Sequence, residues 1–417
     1  MIKWIAFVLS LLFSSQVLTE SLSGQFEWLP DRRKDQFPTE SAHLFVPLPY
    51  SYPGIGEGFF LIGYGSNLGG TTMDGVVIGV TGDATGNVVQ FDEIPIIEDT
   101  LLMHIYLQEI DRAVVNNYEI RGMDDSSAFN LLDVTRADES RFQLQYTMEQ
   151  RRINFYLTHY AHDFEIDLIR DEEGVVLQDF SPNYAGSTES TQLAVKLDFT
   201  DDYLDPRRGF KFELTYMDAP PVSANDPDYY KLDYDFQFYI PFFSNDVVVM
   251  NYYQSDAHVR EAGNTNAADI ISELGLNCGA DPDCLTIQNQ LVQNTINDRA
   301  NGSATSLGGL ERLRSYPQSR FQGGHMAFVG VEYRWNMADE ETPFDYFIWK
   351  DVRTGKQIAF FAEIGTVSET SDEIWNETRS SVGVGFRLVT ASGSVYRADI
   401  ASGEEGSEMS VFFFYPW

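Results

Sequence analysis

The sequence predicts an all-β protein, a transmembrane antiparallel β-barrel of about sixteen strands. Three observations carry this prediction. Apolar and polar residues alternate along nearly the whole chain, the connections between alternating segments differ greatly in length, and the N-terminus carries an apolar export-like segment. Alternation with a period of two is typical of strands that bury one face.

The alternating segments carry aromatic and aliphatic residues on one face and polar or charged residues on the other. The pattern is clear in residues 141–149, 192–199, 210–216, 232–240 and 329–336. A soluble β-sandwich would alternate in the same way. These segments run about nine to eleven residues, the span of a tilted membrane strand, whereas soluble strands more often run about five or six. Their length therefore favours a barrel, whose strands we count between Gly58 and Trp417.

The connections support a barrel because short turns on one side and long loops on the other are typical of such proteins. Residues 390–394 form a short connector, residues 218–228 form a longer polar one, and residues 257–324 form a very long one. Residues 54–58 are rich in glycine but do not open a helix after a strand, as a nucleotide-binding loop would. We interpret them as the entry to the first strand.

The first residues resemble a secretory signal peptide. Lys3 supplies a positive charge, residues 4–13 are apolar apart from Ser10, and small residues follow up to Ser23. The alternative is a buried N-terminal helix. We predict a signal peptide at 1–23, a short periplasmic lead-in at 24–45 and a barrel at 46–417. No later stretch has the roughly 18 apolar residues of a membrane helix, but a closed barrel crosses a membrane without one.

Two cysteines and the charge balance restrict the function. Cys278 and Cys284 flank a Gly-, Pro- and Asp-containing turn, and in an exported protein this pattern favours a small disulfide loop over a metal site. The 63 acidic and 28 basic residues give a formal charge of -35. This balance argues against nucleic acid as a partner, because phosphate binding requires clustered Lys and Arg. It fits solvated acidic loops equally well.

No cofactor, metal site or catalytic constellation is predicted, and an enzyme is disfavoured. His159 and His162 are three residues apart, so on a strand they point to opposite faces. We interpret them as part of a turn between strands. No nucleophile elbow or recognisable carboxylate pair stands out, although hydrolases built on barrels exist as a class.

An acidic turn is the first of five segments that resemble a known family. Residues 198–209 end in Asp205, Pro206, two arginines and Gly209, before a new alternating segment. Proline belongs in a turn because it cannot donate to a strand ladder, and glycine permits a sharp change of direction. The turn resembles the Pro-x-x-Gly turn of the BamA/TamA barrel family, the bacterial surface antigen superfamily.

Three more motifs of that family follow in the same order. Residues 308–316 carry Gly-Gly and then Leu-Arg-Ser-Tyr, where the family has Val-Arg-Gly-Tyr, and residues 330–334 resemble its strand with Glu-x-Arg. Residues 361–367 resemble its Phe-x-Asp-x-Gly-x-Val strand, and residues 381–399 its penultimate hairpin. The family motif residues carried over are Asp205, Pro206, Gly209, Gly308, Gly309, Tyr316, Glu332, Arg334, Gly383, Gly385, Arg387 and Asp399.

The resemblance implies that Arg314 lies on a long extracellular loop folded into the lumen and pairs with a carboxylate on the inner wall. Glu363 stands where the family has Asp. Alternation independently turns Glu363 inward, since Phe360, Ala362 and Ile364 form an apolar face. A bidentate pair shielded from water would hold the loop, and we call Arg314 and Glu363 the loop lock. The other inward charges form either a structural network or a cargo path: Glu332, Arg334, Arg387, Arg397 and Asp399.

The C-terminus resembles the insertion signal of outer-membrane barrels. Phe413, Tyr415 and Trp417 alternate up to the last residue, and Val411, Phe413 and Tyr415 are predicted to share one face. Pro416 departs from the usual pattern but is tolerated at a strand end.

The resemblance implies a barrel of the bacterial outer membrane that contacts lipid and assists the assembly or translocation of proteins or lipid-linked cargo. We find no room for the family's periplasmic modules between residue 24 and the barrel. A separate periplasmic partner protein would then have to supply them. The alternative is a structural or loop-plugged pore barrel, or a surface antigen, without active cargo transport.

Overall fold

The computed structural model describes residues 41–417 except 119, 124–128, 204, 222, 244, 276–277, 281, 340–343, 347–348, 353 and 391–394. The predicted signal peptide, nearly all of the lead-in and most of the connector at 390–394 therefore lie outside the described residues. The strands are β1 (Ala42–Tyr52), β2 (Gly56–Ser66), β3 (Asp74–Gly82), β4 (Thr85–Ile97), β5 (Leu101–Tyr118), β6 (Phe129–Met148), β7 (Ile153–Arg170), β8 (Val176–Asp198), β9 (Gly209–Ala219), β10 (Asp228–Phe242), β11 (Asp246–Glu261), β12 (His325–Asp339), β13 (Phe344–Tyr346), β14 (Trp349–Val352), β15 (Thr354–Ser368), β16 (Arg379–Thr390), β17 (Val395–Gly403) and β18 (Gly406–Phe413).

Sixteen of these strands close into an antiparallel barrel, which confirms the predicted fold class. β1 to β12 and β15 to β18 pair in chain order, and β18 returns to β1, while β13 and β14 form a separate hairpin. Two helices, α1 (Ala267–Glu273) and α2 (Pro282–Asn301), lie in the connection from β11 to β12. Short 3-10 helices occupy Leu68–Gly70 and Ser371–Glu373. Neither helix of the described chain is long and apolar enough to cross a membrane.

The alternation predicted from the sequence separates two faces of the wall. Phe360 and Ile364 are exposed on β15, whereas Glu363 between them is buried. Exposed aromatic or aliphatic side chains recur on the outward face of the neighbouring strands, among them Val331, Trp335, Val384, Phe386 and Ile400. Because the barrel is closed, the alternate residues face its interior.

Many strands are longer than the predicted nine to eleven residues, and the excess is largest in one sector of the barrel. β5, β6, β7 and β8 have 18, 20, 18 and 23 residues, about twice the length needed to cross a bilayer. Beyond the apolar part of β6 and β7, the outward residues become charged, as at Arg136, Asp138 and Glu165, which form ion pairs. The alternation of apolar and polar residues ends there although the strand pairing continues, so the sequence pattern showed only part of each strand.

Three smaller predictions also differ from the structure. The first strand is β1, which starts at Ala42 in the predicted lead-in, and residues 54–58 form the β1–β2 turn and the start of β2. His159 and His162 lie inside β7, not in a turn, because β7 continues to Arg170. The long connection starts after Glu261, five residues later than predicted, because β11 pairs with β10 up to that residue.

Candidate functional site

The connection from β11 to β12, residues 262–324, returns to the inner face of the wall. Its residues Leu307, Leu313, Tyr316 and Phe321 are fully buried. They form an apolar cluster with inward side chains of β11 and β12, namely Val247, Val249, Met326 and Phe328. This cluster holds residues 307–321 against the wall, and it places Arg314 at the inner face of the sheet.

Glycines shape this segment before it reaches Arg314. Gly308 and Gly309 have φ of 101° and 110°, a region that favours glycine. A Cβ on Gly308 would collide with the carbonyl of Pro317. Ser315, which replaces the family's glycine, does not have a positive φ, whereas Leu313 has a φ of 53°. The left-handed residue of the tip therefore precedes Arg314, and the serine at 315 is accommodated.

The Arg314 side chain is fully buried and contacts three carboxylates from three strands. Its Nε lies 2.7 Å from Glu363 Oε1, and its backbone N–H donates to Glu363 Oε2 at 2.9 Å. Its two Nη atoms lie 3.2 Å from Glu332, and one lies 3.0 Å from Asp399. The guanidinium also lies 3.4 Å above the Phe361 ring. Burial alone would lower the pKa of Arg314, but the carboxylates of Glu363, Asp399 and Glu332 outweigh burial and raise it.

The same carboxylates bind three further arginines of the wall. Glu332 pairs with Arg334 at 2.6 Å and with Arg387, and Asp399 pairs with Arg397 at 2.5 Å. Arg397 also donates to the carbonyl of Leu310 at 2.7 Å. We call these seven residues the ionic cluster: Arg314, Glu332, Arg334, Glu363, Arg387, Arg397 and Asp399. Each is at most 3% exposed, so four guanidinium groups and three carboxylates pair with one another almost entirely out of contact with water.

Two glycines of the predicted hairpin motif make room for this cluster. Gly383 lies opposite Phe361 on β15, and Gly385 lies opposite Asp399 on β17. A Cβ on Gly383 would collide with the Phe361 ring, and a Cβ on Gly385 would collide with the Asp399 carboxylate. Glycine is therefore required on the inner face at both positions, because only its lack of a side chain admits these groups.

The later part of the buried segment, residues 316–320, contacts turns that connect other strands of the barrel. Tyr316 accepts a hydrogen bond from the backbone N–H of Glu404 at 3.2 Å and donates to the carbonyl of Ser380 at 3.3 Å. Arg320 pairs with Glu405 at 2.6 Å, and the N–H of Gln318 donates to Pro53 at 2.9 Å. The segment therefore bridges the β1–β2 and β17–β18 turns as well as β12 and β15. Sequence reasoning missed Arg320 and Glu405, since no motif links them.

The acidic turn at 199–208 lies beside the C-terminal tail. Gly209 has a φ of 111°, and a Cβ there would collide with the carbonyl of Phe199. Asp205, next to Pro206 in the turn, accepts hydrogen bonds from Gln357 at 3.0 Å and from the Tyr415 hydroxyl at 2.8 Å. The motif turn and the chain end, far apart in sequence, are therefore directly bonded.

The predicted common face of Val411, Phe413 and Tyr415 is wrong. β18 ends at Phe413, and Phe414 has a φ of 64°, which turns the chain away from the strand direction. Tyr415 then packs under the Arg334 guanidinium at 3.9 Å. Trp417 is only 7% exposed, and its carbonyl accepts from Arg334 at 3.4 Å. Burial and the nearby Asp205 carboxylate raise the pKa of Tyr415.

Cys278 and Cys284 form a disulfide in the connection, with Cα atoms 5.3 Å apart. The bond joins the segment after α1 to the first turn of α2. It lies outside the ionic cluster, and it closes a loop of the size predicted from the sequence.

Comparisons with known proteins identify the family of the chain. Residues 104–403 match the model of the Omp85 superfamily domain, and no curated protein matches the chain. Among solved structures, BamA from Haemophilus ducreyi lacking POTRA domains 1-3 is 12% identical with a TM-score of 0.47, and the match covers 92% of this chain and 75% of that one. CdiB from Escherichia coli is 12% identical with a TM-score of 0.46, and the match covers 90% of this chain and 62% of that one, less than two thirds of its length. Since the family model matches well over half of the sequence, the chain belongs to the Omp85 superfamily.

Proposed function

We propose that this protein is an outer-membrane barrel that assists the assembly or translocation of proteins or lipid-linked cargo, with its β11–β12 connection held in the lumen by the loop lock. The observation that carries the proposal is the burial of Arg314 among carboxylates of β12, β15 and β17. The family assignment supports a function in assembly or translocation. We specify the cargo only as polypeptide or lipid-linked material.

The depth of Arg314 supports insertion of the connection. Glu332 lies seven residues beyond His325, the first residue of β12. At about 3.3 Å per residue, this is roughly 23 Å along the strand. A connection that stayed outside the barrel mouth would not reach Glu332, whereas a loop folded into the lumen would.

The short pairing between β1 and β18, where the barrel closes, supports a function in which the barrel opens at this contact. β1 pairs with β2 through eleven residue pairs, whereas β1 and β18 share one pair, Ser51 with Val411. Few hydrogen bonds would have to break to separate β1 from β18. We call this contact the seam, and we propose that cargo is handled there.

The outer face and the expected export support the outer-membrane location. Large apolar side chains such as Phe142, Phe155 and Phe238 are exposed on the outward face, where lipid would cover them. A separate periplasmic protein remains part of the proposal, as does the role of Phe413, Tyr415 and Trp417 as an insertion signal. Truncation after Ser410 is expected to abolish insertion, measured as loss of the heat-modifiable band from the outer-membrane fraction; normal insertion would remove the signal from the proposal.

A complementation experiment tests the loop lock in function. A strain lacking this gene is complemented with wild type, Arg314→Ala, Glu363→Gln or Arg136→Ala, and outer-membrane proteins and surface lipids are quantified by mass spectrometry. Arg136 is the control because its side chain is 53% exposed and far from the cluster in the fold. We expect the gene deletion to deplete a defined cargo, and we expect Arg136→Ala, but neither lock variant, to restore it. An unchanged outer membrane in the deletion strain would overturn the transport proposal.

A tether across the seam tests opening. Ser51→Cys with Val411→Cys would join β1 to β18, and Ser51→Cys with Glu57→Cys would join β1 to β2 as a matched control. We expect oxidation to block cargo only in the first variant and reduction to restore it. The control also accounts for any effect of reduction on the native Cys278–Cys284 disulfide. Full activity of the oxidised seam tether would exclude lateral opening.

The second candidate is a loop-plugged pore without cargo, favoured by the buried segment 307–321, which contacts both the β1–β2 turn and the β17–β18 turn. Removal of residues 307–321 in planar bilayers would then raise the conductance several-fold, while deletion of the gene would leave outer-membrane composition unchanged. The two candidates therefore differ in the second measurement.

A further inference from the structure

A second polar region lies on the inner face of the wall, away from the ionic cluster. A cavity of about 180 Å³ opens between β4, β5 and β6. At roughly 30 Å³ per water molecule, it has room for about six waters or one small ligand. The polar residues that line it are Gln90, Asp92, His104, Tyr106, Arg141 and Gln143.

Arg141 is held in this cavity by two aromatic rings. It pairs across the sheet with Tyr106 on β5 and Tyr160 on β7. Its guanidinium carbon lies 4.6 Å from the Tyr106 ring centre and 5.7 Å from the Tyr160 ring centre. Stacking on a ring face fixes a guanidinium but leaves the N–H groups at its edge free to donate.

Arg141 differs from the arginines of the ionic cluster in its lack of a carboxylate partner. Within the described residues, no carboxylate approaches Arg141 closely enough for an ion pair, and none accepts a hydrogen bond from it. Glu139 is two residues away on the same strand, and it too makes no ion pair with Arg141. Although the chain has 63 acidic residues, the Arg141 guanidinium is held by aromatic rings alone. Its N–H groups are therefore available to donate to a ligand.

The other polar groups of the cavity form hydrogen bonds with one another or with neighbouring side chains. Asp92 lies 3.1 Å from His104 Nδ1 and accepts from Gln90 at 2.6 Å. His104 Nε2 lies 2.8 Å from the side-chain amide oxygen of Gln145, and the Gln143 side chain donates to the Thr158 hydroxyl at 2.8 Å. The guanidinium is therefore the strong donor group that remains for a ligand. The nearby Asp92 carboxylate disfavours ligands with several negative charges.

We propose that this cavity binds a small oxyanion, a carboxylate or phosphate group, with Arg141 as its principal ligand residue. Planar forked N–H donors match both groups bidentately. The volume limits the ligand to a small molecule or to the head of a larger one, and Asp92 favours a single negative charge at this site.

The test uses the full chain, folded in a phosphate-free detergent at constant chloride. ¹³C-labelled acetate and inorganic phosphate are titrated separately, and the broadening of the ¹³C or ³¹P resonance reports binding. We expect the folded wild type to broaden at least one resonance, and Arg141→Gln to weaken that binding about tenfold, since a charge-assisted hydrogen bond is lost. Broadening of only one resonance identifies the group that the cavity accepts.

Arg136→Gln is the matched control, because Arg136 lies on the same strand but faces outward and pairs with Asp138. It should bind like the wild type. Arg141→Lys keeps the charge without the fork, and we expect it to bind with intermediate affinity. Heat-modifiable mobility verifies that each variant is folded. No broadening by the folded wild type, or equal broadening by wild type and Arg141→Gln, would overturn the proposal.

Discussion

Along the wall formed by β12 and β15–β17, arginines are buried with carboxylates, whereas along β4–β7 Arg141 lies between tyrosine rings at the edge of a cavity. In the first region, ion pairs replace the hydration of the charged groups, and each buried charge is stabilised by the opposite charges around it. The second region keeps space and a donor group. An inward arginine on a β-strand can therefore serve as a structural element or as a ligand group, and its partners decide which.

The largest effect is expected from loss of Arg314, which would leave the Glu363 carboxylate buried without the guanidinium that pairs with it. Arg314→Met should lower the free energy of unfolding by about 3–5 kcal/mol. Urea titration in lipid vesicles, read by heat-modifiable mobility, measures this change. Arg136→Met, an exposed pair on the other sector, should leave the midpoint unchanged. Equal midpoints for wild type and Arg314→Met would remove the difference between the two regions.

A smaller effect is expected from filling the space above Asp399. Gly385→Ala would press a methyl group against that carboxylate, at a cost of about 1–3 kcal/mol for overpacking. Gly63→Ala on β2 is the control, since a Cβ there would have its nearest neighbour at 3.9 Å. Unfolding midpoints of the two variants should differ clearly. Similar midpoints would mean that the cluster relaxes more easily than its burial implies.

Removal of one hydroxyl from the C-terminal tail should cost less. Tyr415→Phe removes the donor to Asp205 and the contact with Gln357 at 3.1 Å, which we expect to lower the free energy of unfolding by about 1–2 kcal/mol. Tyr234→Phe, outward on β10 and without a hydrogen bond to any described residue, is the matched control. If both substitutions are equally silent, the tail is not anchored through its hydroxyl.

The smallest effect on stability is expected at Arg141. Because Arg141→Gln removes ring contacts but no ion pair, we expect a loss below about 1 kcal/mol. The same urea titration measures it, beside the loss of anion binding. A loss as large as that of Arg314→Met would mean that Arg141 is structural, and the contrast between the two regions would fail.

Much of this structure was predictable because strand alternation is a local property. Residues such as Phe360 and Ile364 needed only a period of two to define the outward face, and this placed Glu363 on the inward face. Its pairing with Arg314 was implied by the family resemblance. The same rule failed along the first half of β6 and the second half of β7. The outward residues there are charged, so the contrast between apolar and polar positions disappears. Arg141 was assigned to the polar face, but nothing local distinguished it from Arg387.

By itself, the sequence determined the barrel, its inward charges and the motif order that links residues 198–209 to the hairpin at 381–399. Only the tertiary structure decided which charges meet, since Arg314, Asp399 and Glu332 approach one another through barrel closure rather than chain proximity. It also turned Tyr415 and Trp417 inward and left Arg141 beside a cavity. The physical reason is that side-chain direction follows the local backbone, whereas partners and open space depend on how sixteen strands close around one another.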